Sequence, residues 1–209
     1  MIVVLGMHAG GTSLVSRLLM SMGVNMGKEF MGPVKGVPTW EDVDFVKTNA
    51  AILSFAGGDW KNVPSNAKIT EAVKTLYPRM EMDIERKIQS CGFGLWGFKD
   101  PRTALTVEHW HNMLPNPSYV IVRRNHGDTA KSILNRGPSK KEDYHYWVGI
   151  ASKYNARIDT FLKKFNPPKV EVKFEKLLRS NTAIEEVRKI AALVMATAIP
   201  LALKEIKFR

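Results

Sequence analysis

The 209-residue sequence contains a single cysteine, Cys91. One cysteine excludes an internal disulfide, and with no Cys or His beside it at ligand spacing it makes no thiolate metal site. No run of 18 apolar residues occurs, so no membrane-crossing helix is expected. A charged segment leading into an apolar one is also missing at the N-terminus, where Met1 runs directly into an apolar stretch; a cytoplasmic chain is the expectation. Repeats, low-complexity tracts and compositional breaks are absent, which predicts a single domain over residues 1–209. His109 and His111 are two residues apart in a helical pattern and cannot share a face, so no metal is expected. Basic residues outnumber acidic ones, 31 to 20, yet no Lys/Arg run interleaves with aromatics. The net charge of +11 therefore suits a small polyanion such as a nucleotide better than nucleic acid.

One further absence is local. Ile2-Val3-Val4-Leu5 reads as a buried strand, and Leu14, Val15, Leu18, Leu19 and Met22 recur at helical spacing. Between them lies Gly6-Met7-His8-Ala9-Gly10-Gly11-Thr12-Ser13. A strand, a glycine turn and a helix N-terminus aim backbone N–H groups at an anion. The Gly6-x4-Gly11 spacing fits a P-loop, but Thr12 stands where an ATP-binding loop carries the lysine that reaches the β- and γ-phosphates. Such a loop can still cradle one phosphate-like group through its backbone.

Further along, residues 23–38 are rich in Gly and Pro and predict a functional loop, followed by a helical pattern opened by Trp40-Glu41-Asp42. A long amphipathic helix is expected from Ile69 to Ser90 despite Pro78, a short strand over Phe93–Phe98, and a helix over Thr103–Met113. Tyr119–Val122 is the clearest internal strand; helices over Gly127–Asn135 and Tyr144–Phe165, the loop Gly137-Pro138-Ser139, a strand over Val170–Phe174 and a helix over Ala183–Ala198 complete the chain. Strands alternating with helices predict an α/β fold: a three-layer open parallel sheet of P-loop NTPase-like type with helices on both faces. Ligands of such sheets bind beyond the carboxyl ends of the strands. Three polar segments fall there in succession: Gly6–Ser13, Lys99–Arg102 and Arg124.

Arg124 ends a strand, Ser132 follows eight residues later, and Arg136 is one helical turn beyond it. Two arginines and a hydroxyl suit a phosphate monoester through charge-assisted hydrogen bonds. With these residues in view, the sequence resembles the sulfotransferases that use 3′-phosphoadenosine 5′-phosphosulfate (PAPS). Gly6–Ser13 is similar to that family's 5′-phosphosulfate loop. Lys99-Asp100-Pro101-Arg102 resembles the K-D-P-R segment of the carbohydrate and tyrosylprotein branches. Arg124 to Ser132, with Arg136, resembles the 3′-phosphate segment, and Phe174-Glu175-Lys176-Leu177-Leu178 the late Y-E-D-L signature. The four occur in family order between residue 2 and about residue 195.

The resemblance implies sulfuryl transfer from PAPS to an acceptor hydroxyl, of a carbohydrate or glycolipid, leaving 3′,5′-ADP. Backbone N–H groups of Gly10, Gly11, Thr12, Ser13 and Leu14 would hold the phosphosulfate. Arg124, Ser132 and Arg136 would take the 3′-phosphate, and the Phe174 ring would lie near the adenine. Lys99 would stabilise the leaving oxygen, and Asp100 would orient its loop. Glu41 is the candidate general base, with Asp42 and Asp44 as competitors and a simple helix N-terminal acid as the plain alternative. Residues 24–66 would shape the acceptor site. Three positions depart from the family: Ala9 replaces a basic residue, Gly10 a serine and Phe174 a tyrosine. Ala9 keeps open a nucleotide-binding module without turnover; a small P-loop kinase is the third reading, set back by Thr12.

Overall fold

The computed structural model describes residues 1–34, 36, 38–92, 94–137 and 143–205, with side chains through residue 198. Four strands, β1 (Ile2–Leu5), β2 (Gly97–Lys99), β3 (Ser118–Arg123) and β4 (Lys169–Lys173), form one sheet in the order β2-β1-β3-β4. Every pairing is parallel, with Val3 opposite both Phe98 and Tyr119. The helices are α1 (Thr12–Ser21), α2 (Val43–Phe55), α3 (Asn66–Cys91), α4 (Thr103–Met113), α5 (His126–Arg136), α6 (Tyr144–Phe165), the single turn α7 (Phe174–Leu177) and α8 (Ser180–Glu205). Among the described residues no helix is long and apolar enough to cross a membrane.

Side chains alternate across the sheet with the strand's period of two. Val3, Leu5, Phe98, Tyr119 and Ile121 pack into one core with α2 to α6. Ile2, Val4, Val120, Val122 and Val172 face the other way, onto α1, α7 and α8. The result is the predicted three-layer α/β fold with helices on both faces. Because the central strands are covered on both sides, they read as continuous apolar runs rather than alternating ones.

Element boundaries shift where local hydrogen bonding decides. The helix after Glu41 starts at Val43, because the Asp42 carboxylate accepts from the Asp44 amide at 3.2 Å and caps it. Glu41 therefore precedes the helix. In the stretch expected as a strand over Phe93–Phe98, Phe93 lies outside the described residues. Leu95 and Gly97 there bond to Asn25, and the sheet strand proper runs Gly97–Lys99. Lys99 is thus part of the strand and not of the loop after it. The long helix α3 begins at Asn66, capped by Ser65, and runs through Pro78. Pro138 and Ser139 lie outside the described residues.

With all strands parallel, the loops after β1, β2 and β3 share one edge of the sheet. A cavity of about 480 Å³ opens there.

Candidate active site at the strand ends

The loop after β1 is shaped by two residues in the left-handed region, Ala9 (φ 58°) and Gly11 (φ 94°). At Gly11 only hydrogen fits: a Cβ would stand 2.0 Å from the Phe174 ring. Gly10 is buried, and its N–H closes the turn onto the Met7 carbonyl at 2.9 Å. It is a turn element, and the cavity wall is formed by its neighbours Gly11, Thr12, Ser13 and Leu14. The first N–H groups of a helix have no intrahelical acceptor, and this end of α1 carries no acidic residue in its first turn. Partial positive charge therefore faces the cavity.

Position 12 carries no cation, but one from the neighbouring strand lies beside the head of α1. Lys99 is 1% exposed, yet its ammonium reaches Ser13 Oγ at 3.4 Å, Glu41 Oε1 at 3.0 Å and the Thr39 carbonyl. Burial pulls the Lys99 pKa below the usual lysine range, opposed by the Glu41 carboxylate. Arg102 Nη1 stands 3.8 Å from Glu41 Oε2 and 2.6 Å from Asp100 Oδ1. Asp100 is fully buried and accepts further bonds from the Arg102 amide at 3.2 Å and Asn49 Nδ2 at 2.9 Å. Asn49 is buried in turn: its Nδ2 also donates to Thr103 Oγ1, and its Oδ1 accepts from Thr106 Oγ1 at 2.7 Å and Trp110 Nε1 at 2.9 Å. Every polar atom of the Asn49 amide is engaged, which fixes the Lys99–Arg102 segment on a satisfied buried network.

The three acids expected to compete for the base separate cleanly. Asp42 caps α2 and takes the buried Lys87 ammonium at 2.6 Å. Asp44 pairs with Arg86 at 3.2 Å. Glu41 alone of the three lines the cavity, together with Met31, Gly32, Val34, Pro38, Thr39 and Trp60 from the 24–66 region.

Beyond β3, Arg124 Nη1 donates to the Ala9 carbonyl at 2.7 Å, and its guanidinium sits 4.8 Å from the Phe174 ring centre. Phe174 lines the cavity, as does the exposed Arg136. Ser132 is half-buried and does not contribute to the cavity wall, and neither does Arg124. Of the three residues expected to take a phosphate, Arg136 lines the cavity and Arg124 bonds the loop carbonyl.

Two cavity residues had no assigned part in the sequence. His8 packs against Trp60 with ring centres 4.5 Å apart and planes tilted by 46°, and its buried Nε2 has no hydrogen-bond partner among the described residues. Burial, with the positive field of Arg102, Lys99 and Arg136, holds its pKa well below the usual histidine range, so the ring is neutral. Trp60 stacks on Trp147 at 5.4 Å behind it. Arg102 was visible in the K-D-P-R segment, but only the structure places its guanidinium beside Glu41.

Fold and loop together define the class: a P-loop-like α/β protein with a phosphate-loop turn at the head of α1. No family profile and no curated protein matches the sequence. Among solved structures the chain is similar to TT1252 from Thermus thermophilus, at 13% identity and TM-score 0.54, over 94% of this chain and 96% of that one. It is also similar to a deoxyadenosine kinase from M. mycoides with dCMP and dCDP bound, at 13% identity and TM-score 0.46, over 99% and 100% of the two chains. At such identities the likeness to TT1252 concerns the fold, and the likeness to the kinase carries no argument about this chain.

Proposed function

We propose that this protein is a nucleotide-dependent group transferase that moves a sulfuryl group from PAPS to an acceptor hydroxyl. The observation that carries this reading is the Lys99 ammonium beside the Ser13 hydroxyl. In a triphosphate-binding loop that hydroxyl ligates Mg²⁺. Here a buried lysine already supplies positive charge at that point, which favours a donor handled by protein cations. The N–H groups of Gly11, Thr12 and Ser13 suit the phosphosulfate, whereas those of Gly10 and Leu14 are taken by the Met7 and Gly11 carbonyls, and the Phe174 ring backed by Arg124 offers a face for a base.

In this reading the acceptor enters between Lys99 and Glu41, whose ion pair must open to admit it. Glu41 takes the hydroxyl proton as the acceptor oxygen forms its bond to sulfur. The bond from sulfur to the bridging oxygen breaks, and Lys99 stabilises the charge left on that oxygen. Arg102, 3.8 Å from Oε2, orients the Glu41 carboxylate. The acceptor of the resembling branch is a carbohydrate or glycolipid hydroxyl, and the wall formed by Met31, Val34 and Trp60 is where it would lie. No basic side chain occurs at position 9, so Lys99, Arg102 and Arg136 carry the charge stabilisation.

A second reading, phosphoryl transfer from a nucleoside triphosphate, has one observation in its favour: Ser13 keeps the P-loop hydroxyl position. A nucleotide-binding module without turnover is the third, on the strength of Ala9. Thermal-shift titration separates the first two. Stabilisation by 3′,5′-ADP without metal, exceeding that by ATP with Mg²⁺, supports the PAPS reading; the reverse order supports a kinase. Release of labelled sulfate from PAPS to hydroxyl acceptors then separates an enzyme from a binding module.

A further inference from the structure

The side-chain hydrogen-bond donors of Lys99 and Ser13 are all committed in this structure. An ammonium has three donors, and those of Lys99 go to Glu41 Oε1, Ser13 Oγ and the Thr39 carbonyl. The one O–H of Ser13 also goes to the Thr39 carbonyl, at 2.8 Å. Thr39 O is thus an acceptor shared by the strand-end cation and the hydroxyl at the head of α1. An oxygen held by a lysine and a phosphate-loop hydroxyl is what the transferable group of a donor would present.

Two features surround this oxygen. On one side the backbone is firmly anchored. The Met31 amide donates to the Glu41 carbonyl at 2.8 Å, the Val43 amide to the Glu29 carbonyl at 3.2 Å, and the buried Asp42–Lys87 pair ties the same point to α3. The other feature is strain in the next residue, since Trp40 has φ 54°, a left-handed conformation that a bulky side chain adopts at a cost. Its ring rests on Phe30 at 5.3 Å. The Thr39–Trp40 step is therefore held in an unfavourable backbone shape next to a fixed anchor, by bonds that another oxygen could take over.

We propose that the Thr39 carbonyl oxygen occupies the seat of an oxyanion oxygen of the transferable group, and that this group binds by displacing the Thr39–Trp40 step. The inference rests on the reading of Gly11–Leu14 as a donor site. It assigns the seat to the sulfuryl group rather than to the nucleotide, because Lys99 and Ser13 are the two groups that converge on it. Exchange of one neutral carbonyl for an anionic oxygen keeps both donors satisfied, strengthens the Lys99 contact and relieves Trp40.

The carbonyl ¹³C resonance of Thr39, read through the Trp40 amide in labelled full-length protein, reports these hydrogen bonds directly. PAPS is expected to shift both that carbonyl upfield and the amides of Gly11–Leu14. The product 3′,5′-ADP, which lacks the sulfuryl group, is expected to shift only the amides. Movement of the Gly11–Leu14 amides by PAPS with the Thr39 carbonyl unchanged overturns the proposal. Should neither nucleotide move those amides, the PAPS reading falls, and inorganic sulfate becomes the probe of the seat. It must then shift the Thr39 carbonyl, and a flat titration overturns the proposal independently. In Lys99→Met the upfield shift is expected without any ligand; an unshifted carbonyl there overturns the assignment.

Discussion

The ends of β2 and β3 flank β1, and each delivers a cation to the phosphate loop, but the two are built differently. Lys99 is buried in its strand, ion-paired to Glu41 and held by a segment locked on the Asn49 amide. Arg124 follows its strand, is partly exposed, and braces the Ala9 carbonyl while resting on Phe174. A buried ammonium gains its electrostatic value where water is excluded. A guanidinium at the rim gains less from each contact and more from shape. In the proposed reading, the contrast gives chemistry to the β2 end and loop shape with ligand retention to the β3 end.

Substitutions can break that division. Lys99→Ala is expected to lower turnover about 10²–10³-fold while changing the 3′,5′-ADP dissociation constant little. Equal losses in both, by single-turnover kinetics and calorimetry, would make the two strand ends equivalent. Arg124→Ala is expected to do the opposite. Losing a charge-assisted bond to the loop carbonyl costs about 1.5–3 kcal/mol, roughly a 10- to 150-fold weaker 3′,5′-ADP affinity. An unchanged affinity would remove Arg124 from the site altogether.

The smallest effect sharpens the comparison through pH. His8 is neutral in the fold with its pKa well below 6.5, whereas in the unfolded chain it titrates near 6.5. Below pH 6.5 the unfolded state then binds more protons, so stability falls as pH falls, by up to about 1.4 kcal/mol per pH unit until the folded-state pKa is reached. Denaturation of His8→Gln at pH 5 and pH 7 should show a shallower dependence than the unsubstituted chain. Equal slopes would mean that neither burial nor the positive field of Arg102, Lys99 and Arg136 lowers the pKa of the ring.

The strands and helices were legible because their patterns are strong. Val120–Val122 and Ile2–Leu5 are buried on both faces, and Trp147, Ile150, Tyr154 and Ile158 keep helical spacing over a long stretch. The polar segments at the strand ends were legible for a topological reason, since a parallel sheet brings them to one edge. What the sequence could not resolve was the choice among Glu41, Asp42 and Asp44. All three are acids at a helix start, and a shift of one residue turns a cap into a cavity group. Asn49 gave no signal either, because one amide in an apolar helix looks like any solvent-facing residue until its partners on α4 are seen. The role of the Thr39 carbonyl has no side-chain signature at all. That Arg136 lines the cavity was hidden for a related reason: spacing along a helix shows which residues share a face and leaves open whether that face meets the cavity.

The Phe174 ring pressed onto Gly11 joins the second half of the chain to its beginning. The loop after β1 gains that wall only once β4 has docked beside β3, more than 150 residues later in synthesis. Completion of this edge therefore depends on long-range closure rather than on local turn preference alone. A nascent or truncated chain ending before β4 would carry the whole glycine motif and still lack the surface that the motif packs against.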